Sequence, residues 1–272
     1  MDGSRASVLS GAGLVIVARD QAHLLQDAVE QARAQSACDI LLVDDGSQDQ
    51  TAAVAALLGV RAFHQTRRGF AAACDAGLRA ARAAHVMFVR PQDRLAPGAL
   101  AAGLAALAAN PKAPLAIGSS ATLPAQREES LFAALVRAPD CIHPAAALYR
   151  RHAALEAGGF DPRLSHYAAQ ELILRLVAAT PAARHDNPVI KTASDALRAE
   201  SSARAGEWLE ALARYHASIA SEPVASIACR QSLRHWMRRH RQQLAASIGR
   251  DLFSAETRPA AWRSAGTLLR CW

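Results

Sequence analysis

Residues 40–47, Ile-Leu-Leu-Val-Asp-Asp-Gly-Ser, place two carboxylates, a glycine and a hydroxyl directly behind four apolar residues. The apolar run predicts a strand buried on both faces. Asp44 and Asp45 then stand at its carboxyl end, and Gly46 permits a sharp turn. Ser47 offers a cap to the helix that follows, with Asp49 in its first turn. Paired acids at the carboxyl end of a parallel strand lie where α/β sheets bind ligands. The same residue types also suit a polar turn that leaves a strand and opens a helix.

The elements around this turn alternate. Leu14–Ala18 is a β-branched run and hence a buried strand, broken by Arg19-Asp20-Gln21. Leu24, Leu25, Ala28, Val29 and Ala32 recur at helical spacing. A helix over Thr51–Leu58 ends at Gly59, and Val60–Phe63 forms the next strand. A basic turn, Arg67-Arg68-Gly69, precedes a helix over Phe70–Arg82. His85–Val89 is a fourth strand, running into Arg90-Pro91-Gln92-Asp93-Arg94. Pro97 opens a helix to about Asn110, and Leu115–Gly118 is a fifth strand. Short links between alternating strands and helices predict a doubly wound, mostly parallel sheet.

Beyond residue 120 the pattern changes. Ala121–Glu129 reads as a polar loop, Leu131–Val136 as a short helix, and Cys141–Tyr149 as an extended apolar stretch around His143. Arg151–Ala157 is helical up to Gly158-Gly159; Glu171–Ala179 is amphipathic; Pro188–Ile190 suggests a last strand. From about Ser202 the chain reads as helical, with Trp208, Leu212, Tyr215 and Ile219 on one stripe. A later helix carries Leu233, Trp236, Met237, His240, Leu244 and Ile248 on one face and Arg230, Arg234, Arg238 and Arg241 on the other. That arginine stripe is either a solvated face or a peripheral contact with an anionic membrane. These features divide the chain into a domain over 1–200 and a helical C-terminal extension over 201–272.

The chain has 272 residues, 51% of them apolar, and a net charge of +7 carried almost wholly by arginine. Such a charge suits phosphate-bearing ligands, and it equally suits an arginine-biased genome. Five cysteines with no CxxC spacing read as reduced thiols rather than a disulfide framework. The N-terminal residues lack the apolar run of a signal peptide, so a cytoplasmic protein is expected. No GxGxxG follows the first strand and no P-loop is present, which argues against a Rossmann dehydrogenase or a P-loop NTPase. No aromatic platform or zinc pattern supports the arginines, so no nucleic acid is expected as a partner.

Taken in order, these segments resemble the family 2 glycosyltransferases, which have the GT-A fold. Val15–Leu25 is similar to that family's opening strand and helix. Val43-Asp44-Asp45-Gly46-Ser47-Gln48-Asp49-Gln50-Thr51 is close to its VDDGSxDxT nucleotide motif. Arg68–Gly77 resembles NxGxAxARNxG, and Phe88–Leu95 falls where the family has its metal-binding FLDADD segment. Gly158–Leu164 with Glu171–Leu176 resembles the acceptor-side pattern GGFDxxL…EDxxLxLRL. The resemblance covers roughly residues 13–180. It implies transfer of a sugar from a UDP- or GDP-linked donor to a glycan or lipid-linked acceptor, in bacterial polysaccharide synthesis. It also implies Mg²⁺ or Mn²⁺ on the diphosphate and a carboxylate base. Asp44 and Asp45 match positions that contact base and ribose; Ala18, Asp20, Gly46, Arg68, Gly69, Arg90 and His143 complete the expected substrate-binding set.

Two motifs depart from the family pattern. Arg90 and Gln92 stand where it has aspartates, leaving Asp93 as the one expected metal ligand. Arg90 offers positive charge to a diphosphate in their place. Ala168 and Ala169 replace the family's Glu-Asp pair, so the base position, Ala169, cannot accept a proton. Glu171 is the candidate substitute base, with His166 behind it. The alternative is a catalytically degenerate member that binds a nucleotide sugar, a glycan or a partner protein.

Overall fold

The computed structural model describes residues 9–119, 130–137, 139–192 and 202–219, with short runs between 237 and 248 and Ala265. The first half runs β1 (Leu9–Ala18), α1 (Ala22–Ala34), β2 (Asp39–Asp45), α2 (Thr51–Leu57), β3 (Arg61–Gln65), α3 (Phe70–Ala80), β4 (Ala83–Val89), β5 (Arg94–Leu95), α4 (Ala99–Ala109) and β6 (Leu115–Ser119). The second half holds α5 (Leu131–Arg137), β7 (Ala147–Arg150), α6 (Arg151–Glu156), α7 (Ala168–Ala179), β8 (Ala183–Pro188), β9 (Ile190–Thr192) and α8 (Ser202–Ile219). A seven-stranded sheet has the order β3-β2-β1-β4-β7-β6-β8. It is parallel except for β7, which runs antiparallel to both β4 and β6. β5 and β9 pair separately.

Successive residues of a strand point to opposite faces, and the apolar runs feed a core on each. Val15, Val17, Leu41, Val43, Val86 and Phe88 meet α3, α6, α7 and α8. Leu14, Ile16, Leu42, Met87 and Val89 meet α1, α2 and α4. Strands flanked by helices on both sides need this continuous hydrophobicity. Gly77 lets α3 lie close on the sheet, since a Cβ there would fall 2.5 Å from Val15 Cγ1.

The second half departs from the sequence reading in three places. Residues 141–149 are not extended throughout: two 3-10 turns, Pro139–Cys141 and Pro144–Ala146, precede β7. The single strand read at Pro188–Ile190 is the junction of two, the end of β8 and the start of β9. β8 begins at Ala183 and is an edge strand whose Arg184, His185, Asp186 and Asn187 hide it from a hydrophobicity reading. Helix α7 starts at Ala168, three residues before Glu171. The polar loop read at Ala121–Glu129 lies outside the described residues.

Helix α8 sends Trp208, Leu209, Leu212 and Tyr215 into the larger core. It also supplies a tertiary cap. The Glu207 carboxylate accepts the backbone N–H groups of Ser165, His166 and Tyr167, just ahead of α7. Burial alone would raise its pKa, but bonds from the His166 side chain and from these backbone groups outweigh it and hold the carboxyl below its ordinary value. A carboxylate with a depressed folded-state pKa stabilises above its unfolded pKa, and that contribution is lost as pH falls through the folded value. Glu207→Gln is therefore expected to lower stability by about 1–3 kcal/mol near neutrality. It should also flatten the loss of stability below the ordinary carboxylate range, as thermal melts from neutral to acid pH would read.

Farther along, Met237, His240, Leu244 and Ile248 are buried, and His240 Nε2 lies 2.8 Å from the Val136 carbonyl. Arg238 is exposed and Arg241 half-buried; Leu233, Trp236, Arg230 and Arg234 lie outside the described residues. No described helix is long and apolar enough to cross a membrane. Of the cysteines, Cys38 and Cys74 are described as free thiols, and Cys141 is buried.

Candidate functional site at the carboxyl ends of the central strands

From β1 the chain winds outward through β2 and β3, then returns past β1 to β4. The winding reverses between β1 and β4, and the crevice outside the carboxyl ends of such strands is where open α/β sheets bind ligands. Ala18–Gln21 leave β1 there, Asp44–Gln48 leave β2, and Arg90–Asp93 leave β4. Gln21 Nε2 donates to Gln92 Oε1 across the reversal at 2.9 Å.

The loops after β1 and β2 are laced together. Asp20, with φ at 51°, donates its N–H to Ser47 Oγ and accepts the Gln48 N–H on Oδ1 at 2.7 Å. Asp49 Oδ2 accepts the Ala22 N–H, while Oδ1 takes the N–H and hydroxyl of Thr51. Asp49 thus opens helix α2. Ser47 does not cap it, as the sequence suggested; its hydroxyl donates to Asp44 Oδ1 at 2.5 Å instead. Gly46 has φ at 72°, and a Cβ there would lie 2.6 Å from the Arg67 backbone nitrogen, so the turn admits only glycine without strain.

Asp44 and Asp45 are 5% and 4% exposed, and protein groups engage both. Asp44 Oδ1 accepts the Ser47 N–H and hydroxyl, and Oδ2 lies 3.1 Å from His64 Nδ1. Asp45 Oδ1 accepts from Gln65 Nε2 and the Arg68 N–H, and Oδ2 from the Gly69 N–H, at 2.7–2.9 Å. Asp45 therefore fixes the 67–69 turn and the start of α3. Each carboxylate offers about four lone-pair sites, so capacity for a ligand donor remains, with His64 the half-exposed group beside Asp44. His64 and Gln65 were missed in the sequence. Their signal is register: in the parallel β2–β3 pair, Asp44 stands opposite His64 and Asp45 opposite Gln65.

After β4, Asp93 is buried. Its Oδ2 accepts the Arg90 N–H at 2.8 Å, and Oδ1 lies 3.6 Å from His143 Nε2. His143 is 2% exposed and its Nδ1 accepts the Ala145 N–H. Burial holds its pKa below the usual value, against the pull of Asp93 and with help from Arg90. The Arg90 guanidinium lies over the Phe70 ring, 5.5 Å from its centroid, and Nε is 3.9 Å from Asp93 Oδ2. This donor set does not fit a divalent cation. Asp93 brings one carboxylate, already turned toward an arginine and a histidine, and no cluster of three or more metal-ligating side chains occurs among the described residues.

Ala168 and Ala169 are buried in the larger core. Glu171 is not free to act as a base as it stands. Arg175 Nε donates to Oε1 at 2.6 Å and Nη2 to Oε2 at 2.7 Å, and the guanidinium also bonds the carbonyls of Ala157 and Gly159. The pair lines a cleft of about 360 Å³ with Asp161, Arg163 and Arg214. His166 is held by Glu207, its Nδ1 3.2 Å from Oε2. The structure thus brings Ala18, Asp20, Asp44, Asp45, Gly46, Arg68 and Gly69 around the β1–β2 side, and Arg90, Asp93 and His143 around β4. Glu171 belongs to the loop clamp at Gly158-Gly159.

Residues 14–121 match the model of Glycosyl transferase family 2. No curated protein matches the sequence. Solved structures with the same fold include TarS 1-349 of S. aureus, at 12% identity and a TM-score of 0.72, covering 96% of this chain and 80% of that one. TarS 1-349 has also been solved with UDP-GlcNAc. The mannosyltransferase PcManGT of Pyrobaculum calidifontis, solved with GDP-Man and Mn²⁺, is 14% identical with a TM-score of 0.60, over 96% of this chain and 85% of that one. Glucosyl-3-phosphoglycerate synthase of Mycobacterium tuberculosis, with Mn²⁺, UDP and glucosyl-3-phosphoglycerate, gives 18% and 0.52 over 74% and 79%. The strand order, the turn after β2 and the family match agree: residues 14–121 are similar to glycosyl transferase family 2, and the chain has the GT-A fold of these solved structures.

Proposed function

We propose that this chain binds a nucleotide diphosphate sugar in the crevice at the ends of β1, β2 and β4, and that it holds the sugar donor without efficient transfer. One observation carries the reading. The nucleotide-side turn is held together by its own backbone contacts, while among the described residues the acceptor-side positions expected to abstract a proton are replaced or engaged. Ala169 sits in the core, Glu171 is gripped by Arg175, and His166 is tied to Glu207. The fold's relatives that bind UDP-GlcNAc and GDP-Man support the donor class.

A general base contributes about 10²–10⁴-fold to a rate, so its loss leaves binding as the main capacity. The acceptor in the family setting is a glycan or a lipid-linked sugar, and here such a molecule would meet the cleft lined by Asp161, Arg163 and Arg214. The exposed Arg238 and half-buried Arg241 suit an anionic membrane surface nearby.

Calorimetry with UDP-GlcNAc and GDP-mannose, followed by assay of donor consumption with glycan acceptors, tests this. Binding without consumption above the rate in buffer is expected. Donor turnover in the presence of acceptor would overturn the non-catalytic part, and no heat at millimolar donor would overturn the whole.

A further inference from the structure

Resting on that nucleotide-sugar reading, we propose that Arg90 takes the place of the divalent cation, so that this site binds a nucleoside diphosphate without metal. The residue leaves β4 at the reversal of the sheet, where the diphosphate of a nucleotide lying across β1 and β2 would come. Its backbone is pinned, since the Arg90 N–H donates to Asp93 Oδ2. Its side chain is supported from below by the face of Phe70, the first residue of α3. Nε, itself sealed from solvent, has no hydrogen-bond partner among the described residues, and the nearest carboxylate oxygen stands 3.9 Å away. The side chain as a whole is 26% exposed, and its guanidinium makes no hydrogen bond among the described residues, so the cation is held in position with its outer donors open to a ligand.

The neighbours explain why the cation belongs to the protein and not to a metal. Gln92 is bonded to Gln21 and brings no charge. Asp93 is occupied on one oxygen by the Arg90 backbone and faces His143 with the other. His143 Nδ1 accepts from Ala145 N, so in the neutral ring the proton sits on Nε2 and points at Asp93. Asp93 thus holds the 90–93 turn through the Arg90 N–H, and His143 Nε2 faces it at 3.6 Å without a hydrogen bond. A divalent ion placed there would meet a guanidinium at close range and only one carboxylate. A guanidinium is planar and permanently charged, and it offers parallel N–H groups to two phosphate oxygens. It therefore supplies both functions that a metal would supply to a diphosphate: charge and orientation.

The test is calorimetry on the full chain with UDP and GDP as probes, each in excess EDTA and in millimolar Mn²⁺, with uridine and guanosine as controls. The expected result is one nucleoside diphosphate bound with the same affinity, within about twofold, in EDTA and in Mn²⁺. Arg90→Gln should weaken that diphosphate by about tenfold or more while leaving its nucleoside unchanged. Arg90→Lys keeps the charge without the fork and should fall between the two. Binding seen only with Mn²⁺, or an Arg90→Gln protein that binds the diphosphate as well as the parent, would overturn the inference alone. If neither nucleoside nor diphosphate binds in either condition, the nucleotide-sugar reading fails and takes this inference with it.

Discussion

Arg175→Ala is expected to destabilise the protein by about 3–5 kcal/mol, because it strands a largely buried carboxylate. Glu171 is 8% exposed and has both oxygens on Arg175. The same guanidinium holds the carbonyls of Ala157 and Gly159, in a loop where Gly158 and Gly159 both have positive φ. Phe160 follows directly and packs against Phe88, with ring centroids 4.8 Å apart, so release of the loop loosens the core beneath β4. Against a total stability of about 5–15 kcal/mol, such a loss is visible without ambiguity in urea denaturation. The double change Arg175→Met with Glu171→Leu removes both charges together and should recover most of it, since a buried pair replaced by apolar groups is often neutral. A loss under about 1 kcal/mol for Arg175→Ala would mean that the pair is solvated and that Glu171 is available for other work.

The second large effect is expected at Asp45. Its carboxylate accepts three hydrogen bonds, from Gln65 Nε2, Arg68 N and Gly69 N. Asp45→Asn keeps the shape but turns one acceptor into an NH₂ group, which must face a backbone N–H or the Gln65 amide. One donor is then left unpaired, at a cost of about 1–3 kcal/mol. Asp45→Ala removes all three bonds and frees the 67–69 turn. The melting temperature should fall in the order parent, Asn, Ala, and donor affinity should fall in the same order. Unchanged donor affinity in Asp45→Ala, with the fold retained, would separate this turn from the nucleotide site.

Much of the architecture was legible in the sequence because parallel strands covered on both faces must be apolar along their whole length. Leu14–Ala18, Ile40–Val43 and His85–Val89 announce themselves this way, and the links between them are short enough to force the winding order. The strand at Ala183–Pro188 was not legible for the opposite reason. At the sheet edge only part of a strand is covered, and Arg184, His185, Asp186 and Asn187 carry no periodic signal. The turns around His143 were hidden because Pro144, Ala145 and Ala146 are apolar and fully buried, which reads as strand whatever the backbone does.

At the site, the positions of Asp44, Asp45 and Arg90 were visible, but their partners were not. Sequence shows that two acids end a strand; it does not show that Gln65 and the Arg68 and Gly69 amides converge on one of them from the neighbouring strand and the turn after it. The engagement of Glu171 was likewise foreseeable only in part. Arg175 lies one helical turn on, a spacing that favours an ion pair, and its second task at Ala157 and Gly159 depends on how α7 packs against the glycine loop.

The most direct test of the central claim is a crystal structure of the full chain soaked with UDP or GDP in EDTA. The nucleotide is expected across the carboxyl ends of β1 and β2, its base or ribose beside Asp44 and His64 and its diphosphate within hydrogen-bonding reach of Arg90. A nucleotide bound elsewhere on the molecule, with the loops after β1, β2 and β4 unchanged and closed on one another, would contradict it.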